Sequence, residues 1–138
     1  MSPGRVEVTR VYHFSAAHQL QNPALTDEDN ALLYGPCARL HGHNYYLEVT
    51  LAGEPHPWTG MAIDLAAVDA AVHRVLIDKV DHQTLEGVSP LAGVITTGES
   101  LARAFWVLLA PVLPGGALTR VAVEETAKNR FEYRGERA

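Results

Sequence analysis

His41 and His43, separated by Gly42, open a stretch in which polar and apolar residues alternate through Leu51. Side chains two positions apart on a strand leave the same face with Cα atoms roughly 7 Å apart, so both imidazoles can reach one metal ion. Gly42, without a Cβ, lets backbone or ligand come close between them. His18 ends an earlier alternating stretch, on the parity of Tyr12, Phe14 and Ala16. If the two stretches pair antiparallel, the end of the first lies beside the start of the second, and three imidazoles meet on one side of a sheet. Three neutral nitrogen donors with an open fourth position make the ligand set of a catalytic zinc rather than a closed structural one. The plain alternative is three ordinary half-buried histidines, which gives them no reason to converge.

Other residues add reactive groups. Cys37 stands four residues before His41, at the end of a loop, where a nearby cation can hold a thiol as thiolate and make it a base. Its bland reading is a small buried hydrophobe. Asp81 and His82 are adjacent, the pairing that fixes an imidazole tautomer and shuttles a proton, although a lone Asp-His dipeptide also occurs as a polar helix end. Glu125 shares parity with Val121 and Val123, so its carboxylate ends an apolar run and needs a cationic or multi-donor partner, such as the amidine edge of a ligand. Glu124 has the opposite parity and reads as solvated. His13, His56 and His73 lie on a polar strand face, in a proline-rich loop and off the apolar stripe of a helix, and receive no role. Neither G-x-G-x-x-G nor G-x-x-x-x-G-K occurs, which removes the common nucleotide-phosphate loops.

These side chains must be placed by a small number of elements. A two-residue period runs from Val6 to His18, with Arg10 as its exception, and again from His41 until Gly53. Gln21 to Pro36 carries prolines, Asn22, Asn30 and acidic residues, the signature of a loop with room for one short turn of helix. Leu65, Val68, Val72, Val75, Leu76 and Lys79 step by threes and fours after a capping Asp64, and Leu101, Ala104, Phe105, Leu108, Leu109 and Val112 do so after Thr97. Pro111 and Pro114 end that second helix. Leu118 to Thr126 and Arg130 to Tyr133, joined through Ala127, Lys128 and Asn129, read as a hairpin. The order ββααββ predicts an α+β layer: a four-stranded antiparallel sheet with two helices on one face. Its exposed edges call for closure by neighbouring subunits.

The chain has 138 residues, 47% hydrophobic and 20% charged, and reads as one domain spanning residues 1–138. A net charge of −5 argues against nucleic acid or an anionic membrane surface as a partner, since both select basic patches. The apolar runs are short and Met1 to Arg10 lacks the apolar core of a signal peptide, so the expected location is the cytoplasm. Cys37 is the single cysteine and has no intrachain disulfide partner.

With these residues placed, the sequence resembles the family of 6-pyruvoyltetrahydropterin and 6-carboxytetrahydropterin synthases from Tyr12 almost to the end. The resemblance rests on Phe14-Ser15-Ala16-Ala17-His18, on Cys37-Ala38-Arg39-Leu40-His41-Gly42-His43-Asn44-Tyr45, and on Thr59-Gly60-Met61 leading to Asp64. Val80-Asp81-His82, Thr96-Thr97-Gly98-Glu99, Glu125-Thr126 and Tyr133-Arg134-Gly135-Glu136 follow in the same order. It implies zinc on His18, His41 and His43, a catalytic triad of Cys37, Asp81 and His82, and a pterin ring anchored by Glu125 with help from Thr97 and Glu99. It also implies the tunnelling fold, in which the sheets of three subunits close a barrel and two trimers stack into a hexamer with sites between subunits. The implied substrate is 7,8-dihydroneopterin triphosphate, which loses triphosphate. Gly98 departs from the family, where Thr or Ser often stands. The three residues between Cys37 and His41 resemble the 6-carboxytetrahydropterin synthases of queuosine biosynthesis, whereas the Thr26-to-Asn30 loop and Tyr34-Gly35-Pro36-Cys37 resemble the biopterin-pathway enzymes. The spacing sets the expectation: 6-carboxytetrahydropterin plus acetaldehyde, with the 6-pyruvoyl product as the alternative.

A cupin-like metal-binding barrel is a more distant rival, because Gly35, His41, His43, Glu48 and Gly53 approximate its first motif. Glu48 has the wrong parity to join the histidines, and the helical periodicity that follows leaves no second motif. A zinc-binding module without catalysis is the other class, and it has no use for Cys37, Asp81, His82 or Glu125.

Overall fold

The computed structural model describes residues 4–136. In chain order the elements are β1 (Val6–His18), α1 (Asp27–Tyr34), β2 (His41–Gly53), α2 (Leu65–Val72), α3 (Asp78–Val80), β3 (Gln83–Thr84), α4 (Gly98–Leu109), β4 (Leu118–Thr126) and β5 (Asn129–Tyr133). β1 and β2 pair antiparallel along their whole length, from Val6 opposite Gly53 to His18 opposite His41. This register sets the start of one strand against the end of the other, as the alternation requires. β4 lies antiparallel to β2, and β5 antiparallel to β4.

Two expectations are corrected. The sheet has five strands in the order β3-β1-β2-β4-β5, and it is mixed, because β3 runs parallel to β1. Two residues cannot display a period, so β3 leaves no trace in the sequence. It is held by hydrogen bonds made just before it: the His82 amide donates to the Ser15 carbonyl at 2.6 Å, and the Ser15 amide donates to Asp81 Oδ1 at 2.9 Å. The segment read as a loop contains α1, eight residues long. The Thr26 hydroxyl accepts from the Asp29 amide, and Asp27, Glu28 and Asp29 place negative charge at the positive end of the helix dipole. Gly35 stops the helix at φ 59°, where a Cβ would be strained.

While Val6 at the start of β1 is exposed, Tyr12, Phe14 and Ala16 on the even face of the strand pack into one core with Tyr45, Leu47 and Val49 of β2 and Val121 and Val123 of β4. Val68 and Val72 of α2, and Leu101, Phe105 and Leu109 of α4, cover it, so both amphipathic helices lie on one side as expected. Phe14 stacks on Tyr45 at 4.7 Å between ring centroids, and Phe105 meets Phe14 edge-on at 6.0 Å. This aromatic layer sits directly beneath the histidine end of the sheet. Between α2 and α3 the helical run loosens into a π turn, His73–Ile77, while keeping Leu76 and Ile77 in the core. Arg10, the polar exception on β1, is explained by α2: its Nε donates to Asp69 Oδ1 at 3.0 Å, and the Tyr12 hydroxyl donates to the same carboxylate oxygen at 2.6 Å. The Arg10 bond holds the Asp69 carboxyl below the usual carboxylate range. Among the described residues, no helix is long and apolar enough to cross a membrane.

Candidate metal centre

The β1–β2 register delivers His18 and His41 as direct neighbours, and His43 follows one pleat further along β2. Ring centroids are 4.6 Å apart for His18 and His41, 4.9 Å for His41 and His43, and 5.1 Å for His18 and His43. One nitrogen from each lies within 4.8 Å of the others. The hydrogen bonds fix which nitrogens these are. His18 Nδ1 lies 2.9 Å from the Thr96 carbonyl, and His41 Nδ1 lies 2.6 Å from the Arg39 carbonyl. A carbonyl oxygen only accepts, so both Nδ1 atoms carry the proton and both Nε2 atoms carry the lone pair, that of His18 lying 3.4 Å from the Tyr45 hydroxyl. His43 Nε2 is buried and has no hydrogen-bond partner. A buried polar atom without a partner costs stability unless a ligand satisfies it, and here it points to one.

The electrostatics suit a cation. Burial pushes the His18 pKa down, with the His41 charge adding to it, and burial pushes His43 down as well. Neutral imidazole is the ligating form. Glu125 adjoins the cluster, its Oε2 3.9 Å from His18 Nε2, with a side chain only 17% exposed. The Asn129 amide donates to its other oxygen at 3.3 Å. Tyr45 is fully buried under the cluster, and burial pushes its phenol pKa up, so it stays neutral.

The other expected residues stand as follows. Cys37 is exposed, on a 3₁₀ turn (Gly35–Ala38) that leads toward β2, and its carbonyl accepts from the Leu20 amide at 2.8 Å. Asp81 Oδ1 lies 3.0 Å from His82 Nδ1, and the Ser15 amide bond is the main cause holding the Asp81 carboxyl below its ordinary range. His82 takes the unusual φ of 60°, its side chain is 82% exposed, and it borders a hollow whose walls include Ser15, Gly42, His43 and Asn44. Ser15 and Asn44 alternate with the histidine positions and so project from the opposite face of the sheet. The Asp81–His82 pair is thus anchored on Ser15 at the edge of β1, and of the three histidines His43 borders the same hollow. The Thr97 hydroxyl caps α4 by accepting from the Ser100 amide at 3.2 Å, and Glu99 is exposed on the first turn. Gly98 has a packing reason: a Cβ there would lie 2.0 Å from the Phe131 ring.

Sequence reasoning gave no role to Thr96 or Glu86. Thr96 is 1% exposed, and its hydroxyl sits 3.1 Å from His18 Nδ1 and 2.6 Å from Glu86 Oε2. The signal in the sequence is the Thr96-Thr97 pair at a helix start, whose second member serves as the cap. Glu48 confirms the parity argument against a cupin: it binds Arg120 at 2.6 Å and Arg130 at 3.1 Å, on the face away from the histidines.

Fold and site together define a mixed α+β sheet protein with a three-imidazole pocket and a half-buried carboxylate at its side. Residues 7–136 match the family model "6-pyruvoyl tetrahydropterin synthase", and the chain belongs to that family of enzymes. It is 39% identical over 135 residues to the 6-pyruvoyl tetrahydrobiopterin synthase of Homo sapiens, covering 96% of this chain and 93% of that one. The solved structure of the Caenorhabditis elegans 6-pyruvoyl tetrahydropterin synthase superimposes with a TM-score of 0.92 at 36% identity, over 99% of both chains. A 6-carboxy-5,6,7,8-tetrahydropterin synthase from Aquifex aeolicus is more remote, 27% identical over 160 residues, 94% of this chain and 98% of that one.

These similarities overturn the expected 6-carboxy product and its place in queuosine biosynthesis. That expectation rested on the three residues between Cys37 and His41. They complete the 3₁₀ turn and pass through extended Arg39, which sets how the chain approaches β2 and leaves the thiol exposed. Such a spacing says nothing about which bond of a substrate breaks.

Proposed function

We propose that the protein is a zinc-dependent 6-pyruvoyltetrahydropterin synthase, converting 7,8-dihydroneopterin triphosphate to the 6-pyruvoyl compound with loss of triphosphate. The observation that carries the reading is His43 Nε2, buried without a partner beside two further imidazole nitrogens, in a chain 39% identical to the human synthase. His18, His41 and His43 would hold the zinc through Nε2, and zinc bound there would acidify the hydroxyl and C–H protons of the pterin side chain.

The chain's own groups divide the remaining work. Glu125 offers a half-buried carboxylate for paired hydrogen bonds to the guanidine-like edge of the pterin ring, and its place beside His18 sets ring and side chain in one orientation. Thr97 and Glu99, at the start of α4, stand close in sequence to the Thr96 anchor and are the proposed companions of Glu125. Cys37 is the proposed base. Asp81 holds His82 through Nδ1, which leaves Nε2 free to exchange protons with solvent or substrate. Because that pair is held at the sheet edge by Ser15 and makes no hydrogen bond to its own chain's imidazoles, we assign it to the site of a neighbouring copy in a homo-oligomer, a hexamer of two trimers with barrel-closed sheets. The substrate's triphosphate has no assigned partner.

The test is incubation of the purified protein with 7,8-dihydroneopterin triphosphate and product analysis by mass spectrometry. Triphosphate and the 6-pyruvoyl compound are expected, and treatment with a chelator should stop turnover. Acetaldehyde among the products would overturn the product assignment, and no triphosphate release would overturn the reaction.

A further inference from the structure

We infer that Glu86 is a positioning residue for the metal centre, acting through the Thr96 hydroxyl on His18. The argument follows from which atoms can donate. A carboxylate accepts only, so the 2.6 Å contact between Thr96 Oγ1 and Glu86 Oε2 has the hydroxyl donating to Glu86. The hydroxyl proton is then committed, and a lone pair of Oγ1 faces His18 Nδ1 at 3.1 Å. His18 Nδ1 must carry the proton, because the Thr96 carbonyl at 2.9 Å also only accepts. The chain of bonds therefore runs in one direction: His18 N–H to Thr96 O–H to the Glu86 carboxylate. Its effect is to pin the His18 tautomer and ring plane and to make Nε2 a stronger donor, as an outer-shell carboxylate does for a ligating histidine. The other Glu86 oxygen accepts from the Gln19 amide at 3.2 Å, next to His18 in the chain. One carboxylate thus holds both the ring and the backbone that carries it. Thr96 and His18 are each 1% exposed, so the middle of the relay is dry even though Glu86 reaches the surface.

The inference rests on the three-histidine zinc site proposed above, and the experiment separates the two. Metal-free protein is titrated with zinc against a chromogenic chelator. Wild type is expected to take one zinc per chain, and failure of wild type to bind overturns the site and the relay together. Glu86→Gln keeps the size and removes the charge, and its zinc affinity is expected to fall about tenfold, the lower end of outer-shell effects because Glu86 is exposed. Thr96→Val should fall by a similar factor. The double variant should bind no more weakly than Thr96→Val alone, since the glutamine oxygen can still accept from the Gln19 amide and both changes otherwise break one chain of bonds. The unfolding midpoint of the metal-free Glu86→Gln protein should stay at the wild-type value. Wild-type zinc affinity in Glu86→Gln, multiplying losses in the double variant, or a midpoint that falls along with affinity would each overturn the relay while leaving the zinc site intact.

Discussion

His43 shows how a binding residue can weaken the fold that carries it. Its Nε2 is buried with no partner, a situation that costs roughly 1–3 kcal/mol. Replacing it with an apolar side chain of similar size should therefore raise the unfolding midpoint of the metal-free protein while abolishing the rise that zinc produces. Differential scanning calorimetry of His43→Leu with and without zinc checks both, and a lower metal-free midpoint would contradict the orphaned-atom argument. The depressed pKa values of His18 and His43 give a second expectation at this scale. Each lies below the ordinary value of 6.5, so on acidification the unfolded chain takes up protons at these residues before the folded chain does. The stability they contribute is complete above that value and is lost as pH falls through the folded-state values beneath it. The metal-free midpoint should decline with acidification below about pH 6.5 more gently in His43→Leu than in wild type. Equal slopes would remove His43 from the linkage. The three histidines were legible in the sequence because a strand's period places them on one face. Glu86 and Thr96 were not, because their partners are set by tertiary packing: Thr96 meets His18 from 78 positions away, a distance no periodic pattern spans.

At the scale of elements, legibility followed the length over which a period could repeat. β1 and β2, thirteen residues each, and α4, twelve, were readable from alternation or from the three-four step. β3 has two residues and exists because Asp81 and His82 bind the Ser15 backbone. α1 carried a usable cap and an acidic first turn, but the surrounding prolines and polar residues outweighed them. It buries only Asn30 and has no apolar face to betray it. The junction of α4 with β5 makes the element-scale prediction. Gly98 begins α4 under the Phe131 ring, and an added methyl would overlap that ring. Gly98→Ala should destabilise the protein by about 2 kcal/mol, the usual cost of overpacking, even though alanine is the better helix former. Shrinking the partner in Gly98→Ala/Phe131→Leu should recover part of the loss relative to the two single changes added together. Urea unfolding measures both, and a neutral Gly98→Ala would show that Phe131 moves aside freely.

The whole molecule poses the question of where the catalytic groups meet. In one chain, Cys37 and the imidazole cluster lie toward the start of β2, while His82 borders a hollow at the β1 edge, walled by Ser15, Gly42, His43 and Asn44. General acid–base groups must come within hydrogen-bond reach of the atoms they serve, and among the described residues the side-chain hydrogen bonds and ion pairs of Asp81 and His82 run to each other and to Ser15, not to His18, His41 or His43. A neighbouring copy can supply the pair, and both sheet edges, β3 and β5, are open to neighbours within the chain described. Complementation decides the matter without a structure of the assembly. Cys37→Ala and His82→Ala should each lack turnover when purified alone. If the groups act in pairs from different chains, co-refolding equal amounts of the two should restore about a quarter of the wild-type activity, because random assembly pairs an intact Cys37 with an intact neighbouring His82 at about one site in four. If both groups serve the site of their own chain, every site in the mixture keeps one defect and activity stays at the level of the single variants. Mixing without refolding should restore activity only as fast as subunits exchange, so the rate of recovery also reports how tightly the copies hold one another.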